Sequence, residues 1–299
     1  MSVPIIDIAP LLRNNNSLDA RSCSDKIHKL CSEIGFLVIT GHGIEKDLDQ
    51  IFEIAKEFKK LPKFKKEEIK SHQEFYGFGY NRFTEFFDIG LKNETEFPLI
   101  EEFELRVRSY QNSALKLTTI ILKSLAISLN LQEDFFSACM VKPQCRMRFF
   151  YFLSNPPNAD GSWPVLQKPH TDFGLLTLLA TDGVSGLELK PLGEDWIPLN
   201  VPYGKLVVNL GDMLARWTNH QYQSTPHRVV VHPNKERLSI PFFVNPNPRT
   251  VIETLPSCIT PCNPLRYSPI TAGEFLISRL KGDNQLYVNQ DEGPKRFSV

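Results

Sequence analysis

Near Pro143 the hydrophobic pattern of this 299-residue chain changes period, and few architectures accommodate both halves. Upstream, Cys23, Ile27, Leu30, Cys31 and Ile34 recur at helical spacing, as do Leu48, Ile51, Phe52, Ala55 and Phe58. Phe103, Val107, Tyr110, Ala114, Leu117 and Ile121 repeat in alternating steps of four and three, which predicts one long amphipathic helix packed as a support against a sheet. From Pro143 onward the chain breaks into short β-branched and aromatic runs separated by Pro, Gly and Asn. Such runs predict an antiparallel double sheet, hence an α+β protein whose core is a double-stranded β-helix, or jelly roll. A core of that kind encloses a site between its two sheets.

The polar residues set among these strands suggest what the site contains. His170-Thr171-Asp172 places two metal-binding side chains two positions apart, on one face if the segment is extended. Leu175 to Ala180 then reads as a buried strand. His227 lies in Ser224-Thr225-Pro226-His227-Arg228-Val229-Val230-Val231, where the proline favours an extended entry and the valines favour a strand. Alone, His227 reads equally well as a buried histidine satisfied by one backbone hydrogen bond. Together, two imidazoles and a carboxylate suit a non-haem Fe(II) held on one face with open positions opposite. Arg237 follows ten residues after His227 and Ser239 two further on. A guanidinium grips a carboxylate through two parallel hydrogen bonds, and the serine on the same strand face adds a third. A lone Arg-x-Ser usually marks a solvated strand end; its position here carries the argument. A short turn through Pro233-Asn234-Lys235-Glu236 is expected to set the two segments side by side as antiparallel neighbours. The combination points to an oxygenase with a keto-acid co-substrate.

At these residues the chain resembles the Fe(II)/2-oxoglutarate-dependent oxygenase family, in its isopenicillin N synthase-like branch. The resemblance runs from Lys168 to Leu179, then through Gly186-Leu187-Glu188-Leu189, Trp196-Ile197-Pro198-Leu199 and Val208 to Asn219. Ser224 to Val229 and Arg237 to Phe243 complete it, and Val3 to Ile8 and Gly35 to Ile44 look like the branch's leading region. It implies three segments: an N-terminal helical and strand region at 1–120, a jelly-roll core at 143–248 and a C-terminal extension at 249–299. It also implies that His170, Asp172 and His227 ligate iron and that Arg237 with Ser239 holds the distal carboxylate of 2-oxoglutarate. Many plant members carry a co-substrate-orienting tyrosine in an Asn-Tyr-Tyr-Pro strand. This chain has Phe150-Tyr151-Phe152-Leu153, so Tyr151 takes that role unless a shift of one residue turns it to the opposite face. The implied reaction consumes dioxygen and 2-oxoglutarate, releases succinate and carbon dioxide, and hydroxylates or desaturates a small-molecule metabolite, with ascorbate a candidate reductant. Three alternatives stay open: an oxidase that dispenses with 2-oxoglutarate, an ethylene-forming enzyme, and a non-catalytic binding protein on the same fold. Phe152, Phe173 and Phe243 flank the motifs and suit either an apolar substrate pocket or ordinary core.

Composition narrows the partners. With 34 basic and 34 acidic residues the formal charge is zero, so no global field favours nucleic acid or an anionic membrane. The Lys-rich stretch from Lys56 to Lys70 is interleaved with Glu57, Glu67 and Glu68 and reads as a solvated helical face. No apolar run reaches membrane-spanning length, and the N-terminus lacks the basic leader of a signal peptide. Six scattered cysteines without a Cys-x-x-Cys pair then read as reduced thiols in the cytoplasm. His42, between two glycines, reads as part of a tight turn after the strand from Phe36 to Thr40, and His220 and His232 are candidate ligands by chemistry alone, without the setting that His227 has. The polar tail from Asn289 to Val299 is expected to be loosely ordered.

Overall fold

The computed structural model describes residues 3–13, 17–69, 71, 77–91, 95–231 and 234–282. The tail beyond Asn289 and His232 lie outside them. The chain opens with β1 (Ile5–Asp7), α1 (Ala9–Arg13), α2 (Leu18–Glu33), β2 (Phe36–Thr40), α3 (Glu45–Lys60) and the short α4 (Lys63–Glu67). A hairpin of β3 (Gly77–Tyr80) and β4 (Thr84–Gly90) leads to α5 (Phe103–Ser128) and α6 (Phe135–Ala138). Then follow β5 (Arg146–Phe152), β6 (Val165–His170), β7 (Leu176–Thr181), β8 (Leu187–Leu189), β9 (Ile197–Pro198) and β10 (Leu206–Leu210). The last elements needed are α7 (Asp212–Trp217), β11 (His227–Val230), β12 (Arg237–Val244) and α8 (Ala272–Leu280).

The helical periods of the front half become α2, α3 and α5. Ser17 caps α2 by accepting the amide of Ala20, and Cys23, Ile27, Leu30 and Cys31 form its buried stripe. α5 buries Val107, Tyr110, Ala114, Leu117 and Ile121, packs with α2 and α3, and reaches β12.

Two sheets make the double-stranded β-helix. The major sheet has the order β1-β2-β10-β7-β12-β5-β4-β3, and the minor sheet β6-β11-β8-β9. Except for the parallel β1–β2 pair, the ladders are antiparallel. The front half is therefore less purely helical than its periodicity predicts. It supplies both flanks of the major sheet, β2 beside β10 and β4 beside β5. Gly77, Gly79 and Asn81 interrupt the β3–β4 segment, so pairing with β5, rather than local pattern, makes it a strand.

A second difference concerns β11 and β12, which are not neighbours. β11 pairs with β6 and β8 in the minor sheet, whereas β12 pairs with β5 and β7 in the major sheet. Consecutive strands here cross between layers, so His227 and Arg237 reach one cavity from opposite walls.

Strand alternation in β5 separates two environments. Met147, Phe149 and Tyr151 turn to the helical layer, where Phe58 stacks on Phe87 with centroids 4.6 Å apart and packs on Phe103, Phe149 and Tyr151. Each such side chain contributes about 1.5–3 kcal/mol by leaving water. Arg146, Arg148, Phe150 and Phe152 line the cavity instead. The lysine-rich stretch is not wholly solvated: Lys66 is buried and its Nζ donates to Glu85 Oε2 at 2.8 Å and to the carbonyl of Lys59.

Candidate metal centre

His170 ends β6, Asp172 stands two residues later in the loop to β7, and His227 begins β11 directly opposite His170 in the ladder. Asp172 is thus not on a strand, yet the three side chains converge, with one ligand atom from each lying within 4.8 Å of the others. Nε2 of His170 is 4.0 Å and Nε2 of His227 is 3.8 Å from Asp172 Oδ1. Both Nδ1 atoms face carbonyl oxygens, those of Lys168 at 2.8 Å and Thr225 at 3.2 Å. A carbonyl only accepts, so each Nδ1 carries the proton and each Nε2 presents its lone pair inward. Asp172 Oδ2 accepts from Thr177 Oγ1 at 2.6 Å and Asn209 Nδ2 at 2.7 Å, which leaves Oδ1 toward the histidines.

Electrostatics favour a cation between them. Burial pushes the Asp172 carboxyl up, but His227, His170 and the two hydrogen bonds outweigh it and hold the group below the usual carboxylate range. Burial pushes His227 down and keeps it neutral, the form that binds metal. The donor set, two imidazole nitrogens and one carboxylate oxygen on one side, fits Fe(II).

Arg237 and Ser239 line the same cavity, about 740 Å³ in volume, from β12. Arg237 is 2% exposed; burial lowers its pKa to about 10, opposed by Asp182. Its Nε donates to the carbonyl of Val184, and no ion pair joins it to a carboxylate among the described residues. A desolvated guanidinium that Asp182 compensates only from beyond ion-pair distance is costly, and an anionic ligand in direct contact relieves that cost.

Tyr151 does not join this group. Its side chain faces the helical layer and its hydroxyl donates to the carbonyl of Ala55 at 2.6 Å, so the opposite-face reading is the correct one. Alternation turns Phe150 and Phe152 into the cavity in its place. Phe173 and Phe243 also line it. His42 and His220 lie elsewhere, the first against the carbonyl of Gly204 and the second against the hydroxyl of Tyr267. Sequence reading missed Thr177 and Asn209, which fix Asp172, and Phe36, which packs edge-on against His227 at 5.3 Å. The only signal of Thr177 and Asn209 was a polar residue inside an otherwise apolar strand; Phe36 gave none.

A jelly roll holding two histidines, a carboxylate and a buried arginine in one cavity defines a non-haem iron oxygenase of the keto-acid type. Comparison with known proteins agrees. The family model of the 2OG-Fe(II) oxygenase superfamily matches residues 143–246, and that of the non-haem dioxygenase in morphine synthesis N-terminal region matches residues 3–113. Jasmonate-induced oxygenase 3 of Arabidopsis thaliana is 30% identical over 92% of this chain and 80% of its own length. The 2-oxoglutarate-Fe(II) type oxidoreductase hxnY of Emericella nidulans is 29% identical over 91% of this chain and 88% of its own. A full-length Neurospora crassa protein solved in complex with alpha-KG superposes with a TM-score of 0.85 at 26% identity, covering 93% of this chain and 96% of that one. The chain belongs to the 2OG-Fe(II) oxygenase superfamily. It is an Fe(II)- and 2-oxoglutarate-dependent dioxygenase.

Proposed function

We propose that His170, Asp172 and His227 hold Fe(II), that Arg237 and Ser239 take the distal carboxylate of 2-oxoglutarate, and that the rest of the cavity receives a small organic molecule for hydroxylation or desaturation. One observation carries this reading: three inward-facing metal donors and a desolvated arginine with no direct carboxylate ion pair among the described residues share a single cavity. Bound iron and 2-oxoglutarate supply the oxidising chemistry, with dioxygen consumed, succinate and carbon dioxide released and a substrate C–H bond oxidised. The protein's own residues position and exclude. Thr177 and Asn209 keep one oxygen of Asp172 directed at the site, and the two carbonyl-bound imidazoles keep their Nε2 atoms there. Phe36, Phe152, Leu179, Leu187 and Val229 form apolar walls that displace water around the reacting groups.

The order of motifs supports placement in the isopenicillin N synthase-like branch, with the N-terminal segment, core and C-terminal extension acting together. The 2-oxoglutarate-independent, ethylene-forming and non-catalytic alternatives draw no support from relatives whose names specify 2-oxoglutarate. Six cysteines without a disulfide support a cytoplasmic site of action; a Dictyostelium discoideum relative named a probable iron/ascorbate oxidoreductase supports ascorbate as reductant. Zero formal charge supports a small-molecule partner rather than nucleic acid. Among the described residues no helix is long and apolar enough to cross a membrane.

Anaerobic reconstitution with Fe(II) followed by 2-oxoglutarate tests the assignment through the weak visible charge-transfer band of the chelate. The wild type is expected to develop the band, and Arg237→Ala to need at least about tenfold more co-substrate for it. Iron binding unchanged in Asp172→Ala would remove the triad; equal co-substrate affinity in Arg237→Ala would remove the anchor.

A further inference from the structure

The three proposed iron donors are held by more than their own hydrogen bonds, and a common support is Asp212 at the start of α7. Its carboxylate accepts Thr171 Oγ1 on Oδ2 at 3.0 Å and Ser224 Oγ on Oδ1 at 2.7 Å. Thr171 stands between His170 and Asp172, and Ser224 precedes His227 by three residues. The backbone adds to this grip: the Asp212 amide donates to the carbonyl of Asp172 at 2.8 Å, and the Met213 amide to those of Phe173 and Gly174. One residue thus bears on the segments that carry all three donors while standing outside the donor set itself.

Asp212 is itself held from α8. Nη2 of Arg279 lies 2.7 Å from Asp212 Oδ2, and the guanidinium sits 4.9 Å from the centre of the ring of Phe173, the residue after Asp172. Asp212 and Asp172 repel one another, and Arg279 offsets that repulsion. The start of α8 is fixed by a capping box between Thr271 and Glu274 and by the Ala272 and Gly273 amides, which donate to the carbonyls of Thr250 and Pro248. Toward its end Leu276, Ile277 and Leu280 line the cavity, and Ile277 and Leu280 are more than half exposed. The helix that walls the cavity is therefore joined to the loop carrying Asp172 through the Arg279–Asp212 ion pair.

We propose that Arg279 is a positioning residue for the iron centre: through Asp212 it fixes Thr171 and Ser224, so that His170, Asp172 and His227 converge fully only while α8 is seated against the cavity. This rests on the reading that those three residues hold Fe(II). The sign of the effect separates positioning from simple charge. Removing a cation leaves Asp212 uncompensated, and by Coulomb's law alone a metal ion would then bind more tightly. Positioning requires the reverse, a looser centre and weaker metal binding. Loss of a merely structural ion pair, its side chains 26% and 19% exposed, would move the melting temperature slightly and leave metal affinity as it was.

Anaerobic Fe(II) titration of the full chain against a competing chelator tests the proposal in the wild type, Arg279→Met, Arg279→Lys, Asp212→Asn and the double variant. Arg279→Met is expected to bind Fe(II) about tenfold or more weakly, with the metal-free melting temperature within about 3 °C of the wild type. Arg279→Lys is expected to recover part of the loss. In the Asp212→Asn background Arg279→Met is expected to add little, because the two side chains act as one link. Unchanged or tighter Fe(II) binding in Arg279→Met would overturn the proposal, as would a loss that adds in full to that of Asp212→Asn. His227→Ala tests the underlying reading alongside. If it binds Fe(II) as tightly as the wild type, the iron lies elsewhere and the reading of the centre fails; if it loses the metal while Arg279→Met keeps it, the positioning role alone fails.

Discussion

Asp172 presents one oxygen to the histidines because Thr177 and Asn209 already engage the other. Removing such a support loosens the ligand without deleting it, typically at a cost of 10–100-fold in metal affinity. Thr177→Val keeps the side-chain shape and loses the hydroxyl, so Fe(II) affinity is expected to fall by about that factor while Thr177→Ser largely retains it. A competitive chelator titration checks this. Tyr151 makes the opposite case. Tyr151→Phe removes one buried hydroxyl bond to Ala55 and is expected to cost about 1 kcal/mol in a denaturant titration. Its 2-oxoglutarate affinity should match the wild type; a weakened co-substrate would return Tyr151 to the site.

At the scale of elements, the loop between β6 and β7 is held by the start of α7. The Gly211 amide donates to the carbonyl of Leu175, and the Asp212 amide to the carbonyl of Asp172 itself. A Cβ on Gly211 would lie 2.3 Å from the carbonyl oxygen of Gly174 and 3.0 Å from that of Asp172, so only glycine permits this approach. Gly211→Ala must push the loop that carries Asp172 away. The expected result is about 1–3 kcal/mol of destabilisation together with weaker iron binding, read from melting curves with and without metal. Asp212 ties a second element to the same loop. Its carboxylate accepts from Thr171 Oγ1, Ser224 Oγ and Arg279 of α8. Burial raises its pKa against the pull of Arg279 and the two hydroxyls.

For the whole molecule, the jelly roll is not an independent body. β2 and β1 extend the major sheet beyond β10, β4 and β3 extend it beyond β5, and α3 and α5 cover the outward face of β5. Excised residues 143–248 would expose both sheet edges along with Met147, Phe149 and Tyr151. Open edges and a bare apolar face favour aggregation over folding. That fragment is expected to lack a cooperative thermal transition, whereas the chain through Leu280 keeps one; circular dichroism and size-exclusion chromatography decide.

The sequence by itself determined the class of fold and named the donor set of the proposed centre. His170, Asp172, His227, Arg237 and Ser239 are informative by residue type and spacing, because few pairings of imidazole, carboxylate and guanidinium serve another purpose inside apolar strands. The periods of α2, α3 and α5 were legible because each helix buries a stripe that local spacing records. Only the tertiary structure decided that β11 and β12 lie in different sheets, that β4 belongs beside β5, that Tyr151 faces the helices, and that Arg146 and Arg148 share Asp88. Each of these depends on the register between strands distant in the chain. A shift of one residue exchanges the two faces of a strand without altering the local pattern.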